Sequence, residues 1–180
     1  SSLKRNSELI TKPPSVSETL SAFHDLNNAS SPGHMKITVS ELSATLDIAL
    51  EHHNAMHRLM WEHSITPGQL REVCITPVLK PGKDNSKPAS FRPISVTPPL
   101  TKWFEKIIHA RMLELLKDIP ELFRRQSGWQ KKRGAHEALF DAMHHIRTAQ
   151  SRNRCGGLIK MDIRKFFDTI DRRKLWIKLE

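Results

Sequence analysis

The sequence predicts an α+β fold, with helices flanking a small antiparallel sheet, and three observations carry that expectation. A helical stripe of Val39, Leu42, Leu46, Ala49, Leu50, His53, Met56 and Met60 runs through 38–63. The period then changes: EVCITPVLK and FRPISV are rich in β-branched residues and flank the turn-rich PGKDNSKPAS, as in an antiparallel pair with a loop at its tip. The element order of helix, two strands, helix, helix, strand, helix lacks the strict alternation of a doubly wound sheet.

Each element has its own warrant. Residues 1–37 read as an extended or loosely packed lead-in, because TKPPSVSE and NNASSPGH are breaker clusters. Between them SETLSAFHDL makes a short helix with Ser17 as its cap. Thr38 and Glu41 have capping-box spacing and open one long helix that ends at ITPGQL. Pro98 and Pro99 open a helix through about Leu116, with Thr97 as candidate cap and Trp103, Ile107, Met112 and Leu115 inward. A basic loop, RRQSGWQKKRG, leads to a helix from about Ala135 to Gln150 carrying Leu139, Met143 and Ile146. NRCGG is a turn, LIKMDI a strand, and DRRKLWIKLE begins a last helix.

Composition narrows the function class. With 180 residues, 38% hydrophobic and 27% charged, the chain is the size of one soluble domain. No stretch approaches the roughly 18 consecutive apolar residues of a membrane span, and the first residues lack the apolar core of a signal peptide. Cys74 and Cys155 do not form a disulfide framework; they are expected to pack as small apolar residues in a reducing, intracellular compartment, nucleus and organelle not being distinguishable. The net charge of +10 is uneven: residues 1–90 are balanced, while 91–180 carry twenty Lys/Arg against ten Asp/Glu. A localised excess of that size favours a polyanionic partner, nucleic acid above all.

Three stretches carry candidate chemistry. In LKPGKDNSKPASFRPIS, Lys80, Lys83, Lys87 and Arg92 sit on two strand ends and the loop between them, where Arg offers a bidentate fork and Lys a mobile charge to a phosphate. The same lysines also suit a solvated hairpin tip that resists edge pairing. In RRQSGWQKKRGAHEAL, Arg124, Arg125, Lys131, Lys132 and Arg133 surround Trp129, which either stacks on a base or anchors the loop in the core. Cations before a helix N-terminus oppose its dipole unless an anion sits between them and the free amides. In LIKMDIRKFFDTID, Asp162 ends an apolar strand; a carboxylate on a fixed backbone suits a hard cation such as Mg2+. Asp168 and Asp171 are candidate caps for the following helix. His53 and His57, one turn apart, lack the cysteine pair or HExxH context of a zinc site and read as a partly exposed helix face.

Together these stretches resemble the amino-terminal half of a reverse transcriptase catalytic domain, of non-LTR retrotransposon and group II intron type. The resemblance runs from about Ser31 to Glu180 through SSPGHMKI, VLKPGKDNSKPASFRPISVTPPLTKWFEKII, QSGWQKKRGAHEAL and IKMDIRKFFDTIDRRKL. It implies a fingers-like region over 38–157 and the start of the palm, truncated, over 158–180. It implies that Asp162 is a catalytic ligand of Mg2+ and that the Ile163 backbone lies beside the metal and the incoming triphosphate. Phe167 takes the position that stacks below the nucleotide sugar, and Lys80 and Arg92 those that grip the triphosphate. Gln126 and Gly128 would lie near the template, and Lys83, Arg124, Arg125, Lys131, Lys132 and Arg133 would bind the RNA template and DNA primer.

The departures shape the expectation. Met35 stands where that family has an acid, and KKRGAHE replaces its usual Arg-Ser/Thr. No Asp-Asp pair occurs, so the Mg2+ site is incomplete and this chain alone is expected not to polymerise. It is then a fragment of a longer RNA-directed DNA polymerase; the alternative is a catalytically dead RNA- or protein-binding module derived from one. An unpaired apolar LIKMDI edge would invite a protein chain that completes the sheet as a further partner.

Overall fold

The computed structural model describes residues 9, 11–117, 126–128, 133–163 and 166–179, without the side chains of Phe167, Asp168 and Leu179. It divides into two compact units, Ser1–Pro120 and Glu121–Glu180. The α+β expectation holds: helices accompany a two-stranded antiparallel sheet.

In the first unit, α1 (Val16–His24) begins with a capping box in which Ser15 and Glu18 satisfy each other's backbone amides. The cap is therefore Ser15, not Ser17. The lead-in also packs closely, since Thr19, Ala22 and Phe23 are buried. Thr38 and Glu41 form the expected box, but the helix they open is divided into α2 (Val39–Ala44) and α3 (Leu46–His63). Thr45 interrupts it, its hydroxyl donating to the Glu41 and Leu42 carbonyls, a local competition that bends helices. A short α4 (Gly68–Arg71) leads into β1 (Cys74–Leu79), β2 (Phe91–Val96) and α5 (Pro99–Leu116). Pro98 holds the cap position of α5 without a side-chain bond, displacing the Thr97 assignment.

The core joins α1, α3 and α5. Trp103 and Ile107 are essentially fully buried, each worth roughly 1.5–3 kcal/mol of removed apolar surface. Two of the interior polar side chains are paired: Trp103 Nε1 donates to the Thr19 carbonyl at 2.7 Å, and Asn54 Nδ2 donates to Thr19 Oγ1 at 2.9 Å and the Pro14 carbonyl at 3.1 Å. Arg111 continues the 103–107 stripe one turn on, and it is buried where Met112, expected inward, is 48% exposed. Leu115 is half-buried. The Arg111 guanidinium forks onto Glu18 at 2.9 and 3.0 Å, donates to the Leu9 and Lys12 carbonyls, and lies 4.4 Å from the Trp61 ring centre. His57 is fully buried against Trp103 and Phe104, a correction to the exposed-face reading. Its ring covers apolar neighbours as an aromatic residue would, which its polar type conceals in the sequence.

Gly33 has φ +65°, and a Cβ there would meet the Pro98 backbone nitrogen at 3.3 Å. The 33–35 turn thus lies directly against the entry to α5, where a side chain would be both strained and crowded.

In the second unit, α6 (Ala135–Ser151) and α8 (Arg172–Leu179) are present, with a one-turn α7 (Phe166–Thr169) between them. The LIKMDI strand is not. Residues 154–163 have no regular structure, and Leu158, Ile159, Met161 and Ile163 are 62–89% exposed. A strand exists only through its ladder, and among the described residues none pairs with this stretch. Leu139 and Met143 on α6 are exposed too, while Ile146 is half-buried. Cys74 and Cys155 are both exposed, so neither packs as a core residue. No helix among the described residues is long and apolar enough to cross a membrane.

Candidate functional site

The hairpin brings three of the expected phosphate contacts together. β1 and β2 pair in a register that sets Val78 opposite Arg92 and Leu79 opposite Phe91. The Lys80 amide donates to the Ser90 carbonyl at 2.9 Å, extending the ladder one step beyond the strands. Strand residues alternate faces, so Lys80 lies on the Val78 face with Arg92. Lys80 and Arg92 are then diagonal neighbours, a relation that spaces residues roughly 7–8 Å apart. Lys83 follows the turn at Gly82 (φ +66°), where its amide donates to the Lys80 carbonyl at 3.2 Å.

The same register explains two prolines inside strands. Pairs 80–90 and 78–92 fall on hydrogen-bonded steps, which puts Pro77 opposite Pro93 on the next, non-hydrogen-bonded step beyond 78–92, where no inter-strand amide is needed. Each proline instead removes an outward donor from a free edge, which limits pairing with another chain.

Charge at the tip is largely uncommitted. Among the described residues Arg92 has no carboxylate partner. Lys80 Nζ spends one donor on the Ala89 carbonyl at 2.7 Å. Asp84 is the local acid: its carboxyl is held below the ordinary carboxylate value by the Ser86 backbone amide and hydroxyl, and it sits 3.9 Å from Lys87. An anion arriving here meets three lysines and an arginine against one carboxylate.

The second unit presents its residues differently. Asp162 and Ile163 are exposed on the irregular 154–163 stretch. Among the described residues no group of three or more His, Cys, Asp or Glu side chains converges as a metal site would. One carboxylate does not clamp two ions, so the residues in view do not amount to a metal centre. Gln126 and Gly128 form a small exposed turn, with Gln126 Nε2 donating to the Gly128 carbonyl at 3.4 Å. Arg133 is exposed just before α6, while Arg124, Arg125, Lys131, Lys132 and Trp129 lie outside the described residues, as does the Phe167 side chain. The N-terminus of α6 already holds an anion: Glu137 accepts from the Gly134 amide at 2.6 Å, a bond that lowers its pKa. Asp171 caps α8 as expected, accepting from the Arg173 and Lys174 amides at 3.1 and 3.3 Å.

Sequence reasoning did not anticipate Arg111, although its spacing of four and eight from Ile107 and Trp103 placed it on the buried stripe. A cation at such a position requires a carboxylate, and Glu18 supplies it.

Comparison with known proteins agrees with the hairpin. Residues 78–180 match the family described as Reverse transcriptase (RNA-dependent DNA polymerase). The chain is 29% identical over 155 residues to a probable RNA-directed DNA polymerase from transposon X-element of Drosophila melanogaster, covering 86% of this chain and 17% of that protein. It is 25% identical over 159 residues to the probable RNA-directed DNA polymerase from transposon BS of the same species, covering 88% of this chain and 18% of the relative. With the RNA-directed DNA polymerase from mobile element jockey of Drosophila funebris it shares 31% identity over 96 residues, or 52% and 10% of the two chains. The chain therefore spans under a fifth of the length of these relatives. The match runs from the hairpin, through Arg92, to the Asp162 stretch, and on that basis the chain belongs to the reverse transcriptase (RNA-dependent DNA polymerase) family.

Proposed function

We propose that the chain supplies the nucleotide-gripping hairpin and one catalytic carboxylate of an RNA-directed DNA polymerase of non-LTR retroelement type. In this reading 38–157 is fingers-like and 158–180 begins the palm. Lys80 and Arg92 hold the triphosphate, and Lys83 with the basic 124–133 loop contacts template and primer. The observation that carries the reading is the shared face of Lys80 and Arg92 at the hairpin tip, with Arg92 free of any carboxylate among the described residues. Its fork suits a phosphate, which accepts two parallel bonds. Asp162 offers one oxygen ligand toward Mg2+, and the chain by itself is inactive. Two free thiols, Cys74 and Cys155, suit a reducing compartment.

Photocrosslinking of a radiolabelled deoxynucleoside triphosphate to the 180-residue chain tests the hairpin. Labelling should fall by at least about a hundredfold in Lys80→Ala/Arg92→Ala, at roughly 1.5–3 kcal/mol for the charge-assisted bonding of each side chain, and Arg92→Lys should restore little of it. Equal labelling of wild type and double variant would favour the non-catalytic binding module.

A further inference from the structure

A second candidate site, a cleft of mixed charge, lies on α5. There Lys102, Lys106 and His109 line a cleft of about 380 Å3 whose other wall is the loop carrying Asp25, Leu26 and Asn27. The spacing of four and then three residues stacks Lys102, Lys106 and His109 on one helix face. Lys102 and Lys106 are half-buried, yet neither has a carboxylate within 4 Å among the described residues, although Asp25 and Glu105 line the same cleft. Paired lysines would cover those acids; unpaired, their charges are available to a ligand. Leu26 offers an apolar floor, while the Asn27 amide and the Asp25 carboxylate offer a donor and acceptors. The volume is that of a small-ligand site. Cations for a phosphate, an apolar patch for a base and a carboxylate for an exocyclic amine or 2′-hydroxyl are the complement of a nucleotide unit, not of a bare anion.

We infer that this cleft seats one nucleotide of a single-stranded nucleic acid, with its backbone phosphates on Lys102 and Lys106. Four residues of helix rise about 6 Å, which lets the two ammonium groups address successive phosphates. The inference rests on the polymerase reading for its ligand class, but it uses residues separate from the hairpin, so the two can fail independently. Sequence reasoning noted Lys102 and Glu105 as part of a matching stretch without giving either a role.

Fluorescence anisotropy of a labelled single-stranded 12-mer RNA with the 180-residue chain provides the test, in parallel with triphosphate crosslinking. Lys102→Gln/Lys106→Gln should weaken RNA binding about tenfold and reduce the slope of log affinity against log salt by roughly 1.4, at about 0.7 per lost phosphate contact. Lys102→Arg/Lys106→Arg should retain binding, and triphosphate labelling should be unchanged in both. Circular dichroism melts verify that the variants fold; if the Gln pair does not, the single Lys106→Gln variant should lose about half of the slope change. A charge-matched control, Lys36→Gln/Lys178→Gln, should change affinity less than twofold. Equal loss in the control and the cleft variant would overturn the inference, as would unchanged RNA binding in the cleft variant.

Discussion

Both ring nitrogens of His57 are buried without a hydrogen-bond partner among the described residues. Burial, with the nearby His53 as a lesser cause, pushes its pKa down to about 4, against an ordinary value of 6.5. The unfolded chain therefore binds a proton that the folded chain refuses between those values. Stability is whole above about pH 6.5 and falls as pH drops toward 4, by about 3 kcal/mol in total. His53, also lowered by burial, acts in the same direction. Urea unfolding at pH 7.5 and 4.5 should show this loss in the wild type and much less of it in His57→Phe. An identical pH dependence in the two would contradict the assignment. Residue type alone hid this feature: the helical stripe was legible, but a histidine on it reads as half-polar, and only packing against Trp103 and Phe104 makes it core. Arg111 was hidden for the same reason, its carboxylate lying ninety-three positions away in sequence.

At the scale of elements, legibility followed locality. The hairpin, the two capping boxes and the start of α5 depend on neighbouring residues, so turn chemistry and period were enough to find them. The break at Thr45 depends on one hydroxyl competing with the helix, which periodicity does not register. LIKMDI failed for the opposite reason: its apolar, β-branched composition fits a strand, but pairing is supplied by other chain segments. Gly33 is a test of element packing. Alanine at φ +65° costs about 1–2 kcal/mol in backbone strain, and its Cβ would press on the Pro98 backbone besides. Gly33→Ala should lower stability by at least that amount in urea unfolding, and unchanged stability would show that the 33–35 turn is not seated on the entry to α5.

Over the whole molecule, charge and family point the same way. The positive excess lies entirely in residues 91–180, most of the stretch that matches the reverse transcriptase family. That partition was visible from counting, and the candidate residues were visible from motif order. Their convergence was legible only in part: register brings Lys80 and Arg92 to one face, whereas Asp162 belongs to the second compact unit and stands on a stretch without regular structure. A carboxylate gains metal-binding meaning from its neighbours, and sequence composition does not convey which oxygens meet in space.

The central claim is that Asp162 is a catalytic carboxylate of a nucleic-acid polymerase. The direct measurement is Mg2+-dependent primer extension on an RNA template by a polypeptide that continues this chain to the length of its relatives. Asp162→Asn keeps the side chain's size and removes its charge. The account predicts a loss of at least about a hundredfold in extension rate, on the scale of removing a single charge-stabilising group, with RNA binding preserved. Extension by the Asn variant at the wild-type rate would contradict it.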